Sequence, residues 1–352
     1  MILITFNNRN DNLGDKLIFS CLYAELQLHD EVYVFGNSPN GFEQKALRLR
    51  EAFVKAFIAK LKGHKVFVFH PPGARFLPKN TVNSRLSKRL KDKAIFFIWS
   101  LIGAKLHVVG ISIDERSGAE RYKRFKRYET IGVRDKRSVE LLSEVVKSVN
   151  LTPDMAFLRL PLKKTTFETK VFVSLRQETP DDRYDSNYKP ALETSLNSAL
   201  TPFFDKQWHI GFFANVIEDQ LFNLTLSRDF SRTYSCVDYV NDMPIDLNYT
   251  KFFEGYGAVV SNRLHVLIPA MSEGLLPIAL VSKAHSKIIN LFSSYGLDQF
   301  IVYTDDDAAC IIRKVTDLMG HQERLRNQNY SKLCALKSEV EDYIASVVVS
   351  PK

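Results

Sequence analysis

The pentapeptide Ser261–His265 combines two side chains that can act on an anionic substrate. It follows the apolar run 257–260 and precedes the periodic segment Val266–Met271, which predicts a buried strand, a tight turn and a helix start. A helix start suits an anion because backbone N–H groups and the positive end of the helix dipole lie there. Arg263 adds a planar guanidinium for phosphate or carboxylate, and His265 can transfer a proton near neutral pH. A surface arginine beside a core histidine is the alternative interpretation.

Further cations and carboxylates follow other predicted strands of the second half. Arg176 ends the first of these strands, at the edge where such sheets bind ligands, or it is an ordinary surface charge. Lys283 and His285 follow a later strand and could face the same ligand, although a solvated loop is the favoured explanation. Three further residues follow a strand end, namely Asn215, Glu218 and Asp219. They could orient an acceptor or fix neighbouring arginines, although helix capping is the favoured role for them.

The elements that must position these residues alternate between short apolar runs and longer amphipathic segments, which is typical of parallel α/β architecture. The predicted strands of the first half are Ile2–Phe6, Glu31–Phe35, Val66–Phe69, Leu106–Ile111 and Thr130–Val133. Those of the second half are Val171–Leu175, Trp208–Phe213, Thr233–Cys236, Ala258–Ser261, Pro277–Leu280 and Phe300–Tyr303. The predicted helices are Lys16–Gln27, Gln44–Lys60, Arg85–Leu101, Arg137–Lys147, Lys189–Phe203, Glu218–Ser227, Asn248–Glu254, Leu264–Ser272 and Ser286–Tyr295.

The polar, proline-bearing stretch between Leu158 and Thr169 predicts a boundary between two domains. We expect a doubly wound sheet on each side and a ligand cleft between them, with domains at 1–160 and 161–310 and a helical C-terminal segment at 311–352.

Length and composition restrict the class of protein. A chain of 352 residues suggests two globular domains, and a net charge of +8 suits anionic substrates, lipid headgroups or nucleic acid. The four scattered cysteines have no metal-ligand spacing, which predicts reduced thiols and no structural zinc site. Met1–Phe6 is too short for a signal peptide, and the apolar run Ala94–Ala104 is too short to span a membrane. We therefore expect a cytoplasmic protein, either soluble or peripheral at the inner face of the plasma membrane.

Basic residues flank that apolar run on both sides. They are Arg85, Lys88, Arg89, Lys91 and Lys93 before it, and Arg116, Arg121, Lys123, Arg124, Lys126 and Arg127 after it. With the aromatic residues of the run, Phe96, Phe97 and Trp99, they could dock on an anionic bilayer that presents a lipid-linked glycan. The favoured explanation is a buried helix whose flanking basic residues are solvated. Nucleic-acid binding is not expected, because no recognised nucleic-acid-binding motif occurs.

A set of segments in fixed order resembles the polysaccharide pyruvyltransferase family over roughly residues 1–300. They are Asn12–Asp15, Gly110–Ile113, Ile131–Ser138, Pro153–Phe157, Val173–Arg176 and Ser261–His265, then Ala270 and Glu273–Pro277. The resemblance implies a GT-B-like fold and transfer of pyruvate from phosphoenolpyruvate to a sugar, usually as a ketal across two hydroxyls. The products would be capsule, exopolysaccharide or cell-wall glycans, and the acceptor a saccharide or lipid-linked oligosaccharide. No step of this chemistry requires a metal or a further cofactor.

The resemblance also assigns site residues. Arg263, Leu264 and His265 would bind the donor with Arg134, and Arg176 would join them; for Arg134 a salt bridge with Asp135 or a helix-start contact is the alternative. His265 is the expected acid. Asp15 is the candidate base, and its alternative role is to cap the following helix. The expected acceptor side consists of Asn12, Gly14, Asp15, His70 and Arg75.

The sequence departs from the family pattern at one loop of the expected acceptor side. The segment Phe69–Phe76 has two prolines and one glycine where family members usually carry a glycine-rich loop, which predicts a stiffer loop. Two other functions therefore remain open. One is a GT-B glycosyltransferase with a nucleotide-sugar donor, in which Glu273 could reach the donor ribose. The other is a catalytically silent binding or scaffolding protein of a glycan assembly complex.

Overall fold

The computed structural model describes residues 1–6, 12–36, 46–75, 85–113, 122–162, 168–177, 187–240 and 249–349. The chain divides by its contacts into two units. The first comprises Met1–Asn10, Ile18–Leu158 and Ser338–Lys352, and the second comprises Asp11–Leu17 and Arg159–Lys337. The sequence prediction placed the boundary after residue 160 and treated 311–352 as a separate segment, whereas these contacts divide the last helix between the units.

The first unit contains one parallel sheet. Its strands are β1 (Ile2–Phe6), β2 (Val32–Gly36), β3 (Ala46–Leu47), β4 (Phe67–His70), β5 (Gly73–Arg75), β6 (Lys105–Ile113), β7 (Thr130–Val133) and β8 (Asn150–Leu151). The order is β3-β2-β1-β4-β6-β7-β8, and β5 pairs with the end of β6. The chain runs outward from β1 to β3 and then returns to β4 on the other side of β1. The order of strands therefore reverses between β1 and β4.

The helices of the first unit are α1 (Leu13–Gln27), α2 (Leu49–Leu61), α3 (Arg85–Ile102) and α4 (Lys136–Ser143). The first turn of α1 belongs by its contacts to the second unit. On one face of the sheet, α2 and α3 pack over a core that includes Leu3, Val68 and Trp99. All five residues of β1 are buried, as in a parallel sheet covered on both faces.

The second unit contains a six-stranded parallel sheet. Its strands are β9 (Lys170–Ser174), β10 (His209–Phe212), β11 (Val237–Tyr239), β12 (Ala258–Ser261), β13 (Leu276–Val281) and β14 (Ile301–Tyr303). The order is β11-β10-β9-β12-β13-β14, so the direction of winding reverses between β9 and β12. The helices are α5 (Tyr188–Asp205), α6 (Gln220–Ser231), α7 (Tyr249–Phe252), α8 (Leu264–Ser272), α9 (Ser286–Ser294), α10 (Ala308–Gly320) and α11 (Gln322–Val349).

The sequence pattern located most of these elements, and its errors have local causes. The strand predicted at Thr233–Cys236 is wrong, because the Thr233 and Tyr234 amides both donate to Phe230 O and close α6. The strand itself begins at Val237. The predicted loop after β4 is wrong at Gly73–Arg75, which forms β5 against Ile111–Ile113. The predicted helix start at Gln44 lies outside the described residues, and Ala46–Leu47 is a strand.

None of the helices in the described ranges combines the length and the hydropathy needed to cross a bilayer.

A buried histidine in each unit makes stability depend on pH. His107, 1% exposed on β6, has a pKa lowered to about 3, chiefly by burial and then by Lys105. Burial also lowers the pKa of His285 to about 3. Because an unfolded histidine titrates near 6.5, the unfolded chain binds more protons between about pH 3 and 6.5. Stability is therefore complete above that window and falls as the pH drops through it.

We predict that His107→Gln and His285→Gln each lower the slope of the unfolding free energy against pH by about 1.4 kcal/mol per pH unit, which corresponds to one proton. The two tryptophans report on different units, since Trp99 lies in the first and Trp208 in the second. Urea unfolding from pH 4.5 to 7.5, followed by fluorescence in Trp208→Phe and Trp99→Phe backgrounds, measures each slope separately. Each histidine variant serves as the control for the other unit. Equal slopes with and without the histidine would contradict the prediction.

Candidate functional site

The carboxyl end of β9 is held by two buried asparagines. The ladders of β9 with its two neighbours end at Val173 and Ser174. Beyond them, Asn223 Oδ1 accepts from Leu175 N at 2.9 Å and Asn223 Nδ2 donates to Leu175 O at 2.8 Å. Asn262 repeats the arrangement one residue later, with Oδ1 accepting from Arg176 N at 2.7 Å and Nδ2 donating to Arg176 O at 2.9 Å. The two side chains extend the strand where its neighbours stop.

The turn between β12 and α8 is fixed from within the sheet. Ser261 Oγ donates to Ser174 O at 2.5 Å and accepts from Arg263 N at 3.0 Å. Arg263 is the residue that precedes the first turn of α8, in extended conformation at φ −112° and ψ 115°. These bonds direct the chain from the sheet into the helix and fix the backbone from which the Arg263 guanidinium extends.

Arg263 forms an ion pair with Asp219, which lies just before α6. The Arg263 side chain is 17% exposed and the carboxylate 4% exposed. Burial raises the pKa of Asp219, while Arg263 and then Arg176 oppose that effect. Burial likewise lowers the pKa of Arg263 below its ordinary value, and Asp219 opposes that effect. Asp219 makes no side-chain cap, so the capping role favoured from sequence is wrong for it, and its role in fixing a neighbouring arginine is confirmed.

Arg176 lies near Arg263. We call Arg176, Arg263, Asp219, Tyr188 and His285 the cluster. The charge of Arg176 acts on Asp219, Arg263 and Tyr188. The Tyr188 hydroxyl accepts from Asn262 Nδ2 at 3.1 Å, and burial raises the pKa of Tyr188. Asn262 therefore links the Arg176 backbone to the first residue of α5.

His285 completes the cluster from the end of the loop after β13. Its ring is buried, and Nδ1 has no hydrogen-bond partner among the described residues. Burial lowers its pKa to about 3, with smaller effects from Lys287, Arg176 and Arg263, so the imidazole is neutral at ordinary pH. The solvated loop favoured from sequence is therefore wrong for His285. It holds for Lys283, whose exposed ammonium lies 3.4 Å from Asp306.

The cluster lies at the point where the second sheet reverses its winding. Arg176 follows β9 and Arg263 follows β12, and these two strands are neighbours. In open α/β sheets, ligands bind outside the carboxyl ends of the strands at such a reversal. Two guanidinium groups and the start of α8 meet there, which is an arrangement suited to a small molecule with more than one negative charge.

His265 lies in the first turn of α8, half-buried, and the backbone of Gly14 lies against it. A Cβ atom on Gly14 would be 2.5 Å from His265 Nδ1, so a larger residue would displace the ring. Leu264 is buried beneath the same turn. The structure thus brings the predicted acid beside one residue of the predicted acceptor segment.

The start of α1 corrects the capping prediction for Asp15. Asn12 Oδ1 accepts from Gly14 N at 3.0 Å and from Asp15 N at 3.4 Å. Asn12 therefore caps the helix, and Asp15 stands half-buried in its first turn. The role of Asp15 as base stays a prediction.

Arg134 lies in the interior of the first unit. Its guanidinium pairs with Asp154, and its Nε donates to Ser112 Oγ at 2.7 Å. The side chain is 3% exposed, and Asp135 instead caps α4 by accepting from Ser138 N at 2.7 Å. These contacts give Arg134 a structural role with Asp154, not with Asp135 as the sequence suggested, and donor binding by Arg134 stays a prediction.

The predicted acceptor residues of the first unit lie at strand ends, His70 as the last residue of β4 and Arg75 as the last residue of β5. The His70 ring stacks on Phe96 with centroids 5.7 Å apart and meets the ring of Tyr128 edge-on at 5.2 Å. The backbone of Arg75 ends β5, while its side chain lies outside the described residues. Because the first sheet reverses between β1 and β4, His70 ends one of the two strands at that reversal.

Sequence analysis missed the asparagines and Tyr188. Asn262 stands in the segment that attracted attention, but arginine and histidine drew the chemical argument. Asn223 lies inside an amphipathic helix, where a polar residue ordinarily faces solvent. A side chain that bonds both backbone groups of a distant residue leaves no local pattern, so only the fold identifies it.

Comparison with solved structures agrees with the α/β class predicted from sequence. A glycosyltransferase from Rickettsia africae superposes with a TM-score of 0.59 at 10% identity, covering 100% of this chain and 99% of that one. The S. aureus protein MnaA in complex with UDP gives 0.54 at 10% identity, covering 99% and 96%. A mutant O-GlcNAc transferase of Thermobaculum terrenum gives 0.55 at 14% identity, covering 98% and 65%. The GT-B-like fold with two parallel sheets is thereby confirmed.

Sequence comparison defines the family. No protein of curated function matches the chain. The profile described as polysaccharide pyruvyl transferase matches residues 12–280, which include Asn12, Arg176 and the whole segment Ser261–His265. That match covers well over half of the chain, and the protein therefore belongs to the polysaccharide pyruvyl transferase family.

Proposed function

We propose that the protein transfers the pyruvyl group of phosphoenolpyruvate onto sugar hydroxyls and forms a ketal. Family membership supports pyruvyl transfer to a polysaccharide. The observation that carries the choice of donor is the pair Arg176 and Arg263 at the reversal of the second sheet, both held by buried partners. Phosphoenolpyruvate bears a phosphate and a carboxylate on three carbons, and guanidinium groups fit both anions.

The proposed reaction protonates the methylene carbon of phosphoenolpyruvate and leaves an oxocarbenium-like centre at C2. One sugar hydroxyl adds to C2 and loses its proton. The C2–O bond to phosphate breaks, phosphate leaves with the bonding electrons, and a second hydroxyl adds and loses its proton to close the ketal. Of the two protons lost by the sugar hydroxyls, one is accounted for on the new methyl group and the other on phosphate. The reaction therefore balances without a further reactant.

His265 is proposed as the acid that protonates the methylene carbon, and Asp15 as the base for the acceptor hydroxyl. The proximity of Gly14 and His265 supports these roles, because Asp15 follows Gly14 directly. Arg263 and Arg176 stabilise the negative charge that develops on the departing phosphate. The acceptor would be a saccharide or lipid-linked oligosaccharide of capsule, exopolysaccharide or cell-wall synthesis.

A GT-B glycosyltransferase with a nucleotide-sugar donor is the second candidate, suggested by fold neighbours such as the UDP complex of S. aureus MnaA. Their identities of 10–14% support the fold alone. The predicted ribose ligand, Glu273, pairs with Arg159 at 2.5 Å and its side chain is only 4% exposed. That pairing argues against a ribose contact by Glu273.

The direct test is release of phosphate from phosphoenolpyruvate in the presence of candidate glycans, with mass spectrometry of the glycan for the added pyruvyl group. We expect phosphate release that depends on both substrates, and thermal stabilisation by phosphoenolpyruvate but not by UDP. Stabilisation by UDP and turnover of a UDP-sugar would instead support the glycosyltransferase.

Arg263 can be tested separately from its buried partner. Arg263→Ala leaves Asp219 buried without its counter-ion, which costs stability as well as donor binding. The double variant Arg263→Ala/Asp219→Asn removes that charge, so we predict that it regains stability but binds phosphoenolpyruvate about 10- to 100-fold more weakly than wild type.

Calorimetric titration and thermal denaturation separate the two effects of this change. Arg232→Ala removes a 79% exposed arginine that pairs with Asp229 in the same unit, and serves as the matched control. Unchanged affinity in the double variant would show that Arg263 is not a donor ligand.

Asn262 allows a test of positioning without touching a charged group. Asn262→Ala leaves the N–H and C=O of Arg176 without their partner, at a cost of about 1–3 kcal/mol, and lets the Arg176 backbone move. We predict about a tenfold or greater loss in kcat/KM for phosphoenolpyruvate. Tyr188→Phe removes only the hydroxyl that accepts from Asn262 and is the control, with little expected change. Equal losses in the two variants would refute positioning through Arg176.

A further inference from the structure

Helix α2 carries apolar side chains on the face that points to solvent. Val54, Phe57, Ile58 and Leu61 are 53%, 53%, 46% and 71% exposed. Their spacing of i, i+3, i+4 and i+7 aligns them in one stripe along the helix. The opposite face of α2 already packs on the sheet through Ala52 and Ala56, which are fully buried. The outer stripe is therefore additional to what the fold requires.

Helix α3 also carries exposed apolar side chains. Phe97 and Leu101, one turn apart, are 63% and 71% exposed. Trp99, which the sequence offered as a membrane contact, is instead buried between Phe35 and Phe53, with ring centroids 5.7 Å and 4.3 Å away. Helices α2 and α3 pack against each other over the same core. We call the six exposed side chains the α2–α3 surface: Val54, Phe57, Ile58, Leu61, Phe97 and Leu101.

Basic residues outnumber acidic ones in and around α2. Around α2, residues 48–65 include one carboxylate, Glu51, against six cations: Arg48, Arg50, Lys55, Lys60, Lys62 and Lys65. Lys60 and Lys62 flank Leu61 in the chain, and both are exposed. Lys93 is exposed on α3. An apolar stripe bordered by lysines is the pattern of a helix that lies in the interface of an anionic bilayer.

We propose that the α2–α3 surface docks the protein on an anionic membrane. Phenylalanine and leucine enter the boundary between headgroups and acyl chains, and the surrounding lysines bind lipid phosphates. A second copy of the chain fits less well, because a symmetric contact would bring the same cations of both copies together. The inference does not depend on the donor or the acceptor of the proposed reaction.

The test is co-sedimentation of the full chain with vesicles of phosphatidylglycerol and phosphatidylcholine, in the absence of glycan and phosphoenolpyruvate. We expect binding that falls at high salt and is much weaker on phosphatidylcholine alone. Phe57→Ser/Leu61→Ser should weaken binding about tenfold or more. Lys60→Gln/Lys62→Gln should weaken it about fivefold per lysine on anionic vesicles only.

The matched control is Leu28→Ser/Val349→Ser, which changes two residues that are 76% and 67% exposed outside this surface. It should bind vesicles as wild type does, and circular dichroism should show that every variant remains folded. Absence of vesicle binding, or binding that survives Phe57→Ser/Leu61→Ser, overturns the proposal. So does a dimer in sedimentation velocity that this variant abolishes without any vesicle binding, which would identify a second copy as the occupant.

Discussion

The candidate site depends on the way in which strand β9 ends. A strand that outruns its neighbours leaves backbone groups without partners, and burying them costs free energy. Here Asn223 and Asn262 supply the missing partners for two consecutive residues. The backbone of Leu175 and Arg176 is thereby held beyond the last ladder pair. The position of that arginine is therefore set by buried amides and not by a flexible loop.

Charged groups of the site also have buried partners, as the backbone groups at the end of β9 do. Two guanidinium groups near each other repel, and a partly buried arginine loses hydration. Asp219 offsets this for Arg263, while the nearby imidazole of His285 contributes no positive charge at ordinary pH because burial lowers its pKa to about 3. The cluster thus keeps an excess of positive charge that an anionic ligand can neutralise. Arg134 shows the contrasting case, in which a buried carboxylate, Asp154, pairs with the arginine inside the core.

The sequence predicted the sheets well because parallel strands buried on both faces are short, apolar and β-branched. Ile2–Phe6 and Ala258–Ser261 were located to the residue for that reason. It failed where tertiary contacts decide, as at Gly73–Arg75, which became a strand only because the end of β6 was available for pairing. The strand end and helix start that carry Arg263 and His265 were also predicted, from the apolar runs on either side. Asn223, Tyr188 and the burial of His285 depend on residues far away in the chain, which no local pattern records.

The bonds of Asn262 also make the cluster sensitive to a change of one functional group. Its oxygen must face an N–H and its nitrogen must face a carbonyl, so only one orientation of the amide satisfies Arg176. An aspartate has the same shape but would set a negative oxygen against that carbonyl. A change of this one amide to a carboxylate would therefore loosen the Arg176 backbone while leaving the surrounding hydrophobic packing intact.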